Sequence, residues 1–486
     1  MWENSTITSL ESQISSTRTV FDILWSCLFA IFACTWTVQH LNVPPQRDED
    51  SDPGWKGDLK YALQNFWASA KWMVITVFAP ELLITLNFGQ LASAMTTVKG
   101  LKEFAEQDGV PWSLTHSLFA NMGGFVVREY APGRVEVLPS LDTESNSGQR
   151  AGAEATKTDS NSGQGIQTPN EAPSETKVEI IGNIESQPRP KEKTFFLLAH
   201  EIFKLREHGS IKLPYITRDE IMNEGKSDTF GRLIAMSQIA WLVVQIIVRE
   251  RRGLEVSQLE IGTMAFATCA MIIYALNWHK PKSVNVPWTV WSFNGASGIP
   301  QRLKIVCQSQ KKENWFLLMW RPYIQSLVLG PYQYEQYSRG PVIENNYHYA
   351  PKFEAEDPFE DKLIDLTEFL FLILSSTVFG SIHFAAIKST FPSDLEKTSW
   401  CVASAVCTGI AMILLLTFFL SVMLAKVLCI FYWEAEDKLM TFSIRLVLLV
   451  YVLARLFLIV EIFRTLFFLP PSAFIATWVS SVPHVS

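Results

Sequence analysis

FDILWSCLFAIFACTWTVQHL, residues 21–41, carries one acid at its start, one histidine near its end and almost nothing else that prefers water. A helix needs about 20 apolar residues to cross roughly 30 Å of hydrocarbon, so this stretch is long enough to span a bilayer. Asn42 and the Pro44-Pro45 pair stop it, because proline cannot continue a helix hydrogen-bond ladder. No basic segment precedes it and no small-x-small cleavage pattern follows, so it reads as a retained span and not as a signal peptide.

Runs of the same kind recur at Trp72–Ala94, Phe230–Val248, Ile261–Trp278, Thr367–Lys388, Cys401–Tyr432 and Ile444–Leu469. The expected fold is therefore all-α: a multi-pass transmembrane helical bundle of about seven spans. The 401–433 run is long for one crossing and leaves six to eight open, since it must tilt, project from the membrane or break near Lys426. Hydrophobic residues are 48% of the 486, with 32 Phe and 16 Trp, and the apolar residues are concentrated in these runs. Aromatic abundance of this order suits lipid-facing helices and interfacial belts.

The organisation expected is spans one and two in 1–96, a non-membrane region in 97–229, spans three and four in 230–278, a polar, aromatic-rich region in 279–366, and the last spans and tail in 367–486. Within 97–229, the stretch from about 140 to 193 is Ser, Gly, Glu, Thr and Gln with almost no aromatics; it cannot bury enough apolar surface to offset its ordering entropy and is expected to be disordered. Thr217 and Glu220 form a helix-start signature three residues apart. Trp55, Tyr61, Phe66 and Trp67 mark an amphipathic approach lying at the membrane surface.

With seven spans the termini fall on opposite sides. The short loops carrying Arg47, Lys56, Lys60, Arg249, Arg251, Arg252 and Lys397 are then cytoplasmic, and the N-terminus lumenal or extracellular. The sequon at Asn4, a possible glycosylation site, agrees with that side. Which membrane holds the chain, and its oligomeric state, stay open.

Ionisable residues at membrane depth are expensive and are functional candidates by default. Glu81 follows Pro80 near the middle of the second run. Arg445, Arg455, Glu461 and Arg464 lie in the last one. Glu461 and Arg464 are three apart and expected to pair locally, which leaves Arg455 to find a partner elsewhere, with Glu81 named first. His383, after Gly380, is a further candidate. Gln238, Trp241 and Gln245 share one helical face and are expected to look into the bundle.

Other chemistry leaves no trace. No histidine stands in HExxH or HxxxH spacing, the seven cysteines form no CxxC, and no metal site or cofactor is signalled. GxxxxGK[ST] and GxSxG are absent. A net charge of −7 without a basic field gives no reason to expect nucleic acid, and the partner expected is the lipid bilayer.

The opening FDILWSCLFAIFACTWTVQHLNVP, with APELL (79–83), HSLFANMGGFVV (116–127), GKSDTFGRLIAMSQIAWLVVQIIVR (225–249), FGSIHFAAI (379–387), LARLFLIVEIFRTLFFLP (453–470) and the terminal VPHV, resembles a family of filamentous-fungal multi-pass membrane proteins. The resemblance implies a fungal source and a shared membrane fold, and it carries no activity. After His383 this chain has Ala385-Ala386-Ile387 where the family pattern has a small residue and a tryptophan, so a role needing that aromatic is in doubt. Three functions remain: binding or transporting a small molecule within the bundle, a membrane receptor or scaffold, and a membrane-embedded enzyme acting on an apolar substrate.

Overall fold

The computed structural model describes residues 17–46, 54–130, 193–223, 228–294, 343, 345, 358–427 and 433–477. Six of its helices are long and apolar enough to cross a membrane. They lie in α1 (Val20–Thr37), α7 (Asp228–Arg251), α8 (Gln258–Leu276), α9 (Pro358–Ala385), α10 (Asp394–Val427) and α11 (Trp433–Arg464). Local signals start several of them. Thr19 caps α1 reciprocally with Asp22, and Ser257 caps α8 with Glu260, each pairing satisfying backbone N–H groups that a helix start leaves open. The expected disordered stretch at 140–193 lies outside the described residues except for Lys193; Asn4, Cys307 and Cys429 lie outside them altogether.

The second apolar run departs from expectation. Instead of one helix over Trp72–Ala94 there are two, α2 (Trp55–Phe78) and α3 (Pro80–Asp108), bent by 113° at Ala79. Pro80 has no N–H to continue α2, and at the first position of α3 none is needed. Trp36, at the end of α1, meets Phe66 of α2 with ring centroids 5.9 Å apart. Twelve residues later the Phe78 carbonyl lies 3.0 Å from the Tyr451 hydroxyl oxygen in the bundle interior. From there α3 turns back, and its Leu101 and Ala105 join the core of the loop domain. The α2–α3 pair thus enters and leaves at the same end of the bundle. The long run expected at 401–433 is one continuous helix from Asp394 to Val427; it ends one residue past Lys426, and residues 428–432 lie outside the described residues.

This geometry brings the first and last described segments together. Thr17 forms an antiparallel bridge with Ile475, and the Arg18 Nε donates to the Ala473 carbonyl at 2.8 Å. Arg249, 2% exposed, spends its guanidinium on the carbonyls of Glu255, Ser472, Ala473 and Ile475. Thr390 bonds Glu255, and Arg464 pairs with Glu396 at 2.5 Å. Arg18, Arg249 and Lys397 therefore share one end of the bundle, not opposite sides as seven crossings require. The expected local pair fails for the same reason: Arg464 reaches across to α10, and no ion pair joins it to Glu461 among the described residues.

At the other end a small domain is assembled from both long loops. It contains α4 (Leu114–Asn121), α5 (Ala199–Glu207), α6 (Arg218–Asn223) and a three-stranded sheet in the order β2-β1-β3. β1 (Phe125–Tyr130) pairs antiparallel with β2 (Lys193–Phe196), with Val127 opposite Phe195. It pairs parallel with β3 (Trp288–Asn294) from the second loop, with Phe125 opposite Trp288. Phe119, Phe125, Leu197, Leu198, Ile202 and Ile221 are fully buried there, forming a core separate from that of the bundle. Asp108 anchors it with a bidentate bond to Arg206 at 2.7 and 2.8 Å. Thr217 and Glu220 make the expected reciprocal cap.

Candidate functional site

Glu81 sits in the first turn of α3, at the bend, and is 0% exposed. Arg455 of α11 reaches it across the bundle, its Nη2 donating to Oε2 at 2.7 Å. Tyr451, one turn before Arg455, donates its hydroxyl to Glu81 Oε1 and accepts from Arg455 Nε at 2.9 Å. The guanidinium lies over the Phe379 ring, 4.0 Å from its centroid, and the aromatic face adds attraction that a desolvated cation exploits. A carboxylate facing a guanidinium and a hydroxyl has its charge compensated and its lone pairs used, which is the condition for keeping an ion pair in a medium without water.

His383, one turn beyond Phe379, is also buried, but it does not join this pair. Its Nδ1 faces the Phe379 carbonyl at 2.9 Å, and its own carbonyl accepts the Trp400 indole N–H at 2.9 Å. Its ring packs against Phe379 and Trp400. Among the described residues no hydrogen bond links His383 with Glu81. Glu461 is 2% exposed, with Oε1 lacking a hydrogen-bond partner among the described residues, and Arg445 is exposed on α11. The five intramembrane candidates therefore fall into a paired centre, Glu81 with Arg455, and three residues that do not converge on it. Gln238 is buried, and Trp241 and Gln245 are partly buried, on the face of α7 expected to look inward.

A second concentration of polar groups lies where the bundle meets the loop domain. Asn87, Gln90, Ser93 and Thr97 of α3 are all buried, as are Gln39, His40 and Asn42 after α1, and Asn277, Lys280 and Lys282 after α8. The Asn277 amide donates to Asn87 at 2.8 Å, Lys280 Nζ to Gln90 Oε1 at 2.6 Å, and Lys282 Nζ to the Thr37 carbonyl at 2.7 Å. Glu368 of α9 approaches the same helix where Gly89 leaves room; a Cβ there would lie 2.5 Å from its carboxylate oxygen. Burial pushes the Lys280 ammonium down to about 7. Sequence reading missed this layer because Lys280 stands in HKPK, which looks like an ordinary charged stop after a span.

In the loop domain His116 takes the place that Glu usually holds in a reciprocal cap. Its Nδ1 accepts from the Ser113 N–H at 3.1 Å, and Nε2 lies 2.7 Å from the Ile216 carbonyl. Those partners assign the neutral tautomer with the proton on Nε2. Burial holds its pKa below the ordinary histidine value. No group of three or more potential metal ligands occurs among the described residues.

No curated protein and no solved structure matches the chain. The chain does match, over residues 3–140 and 202–310, the family described as Family of unknown function (DUF8562). That match takes in the first span, the α2–α3 bend with Glu81, most of the loop domain and the polar layer through Lys280. Covering just over half of the sequence, it makes this chain a member of that family, an integral membrane protein whose common core includes the bend and the domain that α3 enters.

Proposed function

We propose that the protein is a membrane receptor or scaffold: a closed six-crossing bundle that holds a folded domain on one side of the bilayer and both termini on the other. The observation that carries this reading is the state of Glu81. A transport or solute-binding site at mid-membrane needs a carboxylate that water or solute can reach, and this one is sealed against Arg455 and Tyr451. Acid–base chemistry by Glu81 and His383 needs the two within hydrogen-bond reach, and His383 is engaged elsewhere. What the bend does instead is mechanical. α3 starts at the Glu81 clamp and ends inside the loop domain, so the clamp fixes the domain's position on the bundle.

In this reading the end bearing Arg18, Arg249, Arg251, Arg252, Lys388 and Lys397 faces the cytoplasm, since short loops rich in Lys and Arg are retained there. Both termini are then cytoplasmic, Asn4 is not glycosylated, and the loop domain is lumenal or extracellular. This reverses the side expected for the N-terminus on a seven-span count.

Native cysteines test the closed bundle. Cys34, Cys269 and Cys407 are buried in its interior. In sealed vesicles of either orientation they should resist a membrane-impermeant maleimide until detergent unfolds the chain. Labelling of Cys269 or Cys407 in the folded protein would show a water path and return the transport reading.

A further inference from the structure

Among the described residues, the polar layer holds a buried ammonium that makes no ion pair. Lys280 is 2% exposed, and an ammonium carries three N–H donors. One goes to Gln90 Oε1; among the described residues there is no second acceptor and no carboxylate within 4 Å. Burying a cation against one neutral amide is costly, and chains keep such a group where something anionic completes it. Two residues on, Lys282 is buried as well and donates to a backbone carbonyl. Between Lys282 and Val284 stands Ser283 with φ 58°, the one non-glycine residue of positive φ among the described residues. Local strain of this kind persists where the surroundings hold the loop in a set shape. Trp278, 69% exposed just before Lys280, is the sort of aromatic that sits at headgroup level, the level at which phospholipid phosphates also lie.

We infer that the loop from Asn277 to Val284, with Gln90 of α3, binds a phosphate-class anion of net negative charge through the Lys280 ammonium, the anion being the headgroup of an acidic phospholipid or free phosphate and not a zwitterionic phosphocholine. The downward shift of the Lys280 ammonium by burial agrees with this, because an adjacent anion favours the charged form. The inference is independent of the closed-bundle reading: a transporter with this loop would bind the same anion.

The test uses the full chain in nanodiscs of phosphatidylcholine alone, with added phosphatidylglycerol, or with inorganic phosphate in the buffer. The wild type should melt about 3 °C higher with one of the two anions, and which one identifies the source. Lys280→Met should melt higher than wild type in phosphatidylcholine, having lost the uncompensated charge, and should gain less than wild type from either anion. Gln90→Glu supplies a carboxylate from within, so it should raise the melting temperature in phosphatidylcholine and abolish the response; it keeps the test decisive if Lys280→Met does not fold. The inference is overturned if neither anion stabilises the wild type, if Lys280→Met responds as strongly as wild type, or if Gln90→Glu is destabilised and still responds.

Discussion

Replacing Glu81 by Met keeps roughly the length of the side chain and removes the charge opposite Arg455. The guanidinium, 3% exposed, then has the Tyr451 hydroxyl and the Phe379 face but no anion. Removing one partner of a buried ion pair typically costs about 3–5 kcal/mol, because the remaining charge stays desolvated. The reverse change, Arg455→Met, should cost less, since a carboxyl group can take up a proton whereas a guanidinium cannot lose one. The double variant Glu81→Met with Arg455→Met removes both charges and fills the space with apolar side chains; it should lie within about 1 kcal/mol of wild type or above it. Reversible unfolding by denaturing detergent in mixed micelles at pH 7 gives all three values. A coupling energy of at least about 2 kcal/mol is expected from the cycle. If the two single changes add to within about 0.5 kcal/mol, the charges do not act as a unit and the clamp is refuted.

Other consequences are as direct. His116 in the folded domain has a lowered pKa, so the unfolded chain binds more protons than the native one below the ordinary histidine value of about 6.5. The stabilisation is therefore fully present above that pH and is lost as pH falls from about 6.5 toward the folded pKa; the protection factors of α4 and β1, corrected for the intrinsic exchange rate at each pH, should fall over that window in wild type and lose this dependence in His116→Asn. Gly380→Ala should destabilise the bundle by about 1–3 kcal/mol, because the added Cβ would stand 2.6 Å from the Thr408 backbone nitrogen and neither backbone can yield cheaply; an unchanged midpoint in the same detergent titration would contradict that packing. Arg249→Lys should release the C-terminal segment to proteolysis, since an ammonium cannot reproduce a planar fork shared among four carbonyls. Wild-type resistance in the variant would mean that the bridge from Thr17 to Ile475 suffices.

Much of the bundle was legible because membrane crossing is a one-dimensional requirement. Each run of about 20 apolar residues announces a helix by length alone, whatever it packs against. The Glu81–Arg455 pair was nameable for a related reason, since two isolated opposite charges at membrane depth have few other partners. The bend at Ala79 was harder. Pro80 reads equally as a kink within a span or as the first residue of a new helix, and only the contacts of Phe66 and Phe78 separate the two. That one ambiguity separates six crossings from seven, and with them the side expected for the N-terminus. The sheet was missed because its strands are short and its parallel pair joins residues from loops more than 150 positions apart. FVV, TFF and WTVW carry strand-forming residues, but they lie within the regions 97–229 and 279–366, where only non-membrane loop structure is expected. Arg18 with Glu260 shows the opposite case: Ser257-x-x-Glu260 is a readable cap, while its 2.6 Å ion pair to a residue 242 positions away has no local signature.

The claim on which the rest depends is that six crossings place both termini on one side and the loop domain on the other. Epitope tags at the N-terminus, at the C-terminus and within 140–193, probed by protease and antibody in sealed membrane vesicles before and after permeabilisation, test it in one experiment. Both terminal tags should respond together and the internal tag oppositely. Terminal tags that respond on opposite sides would restore a seventh crossing through α2 and α3 and contradict this architecture.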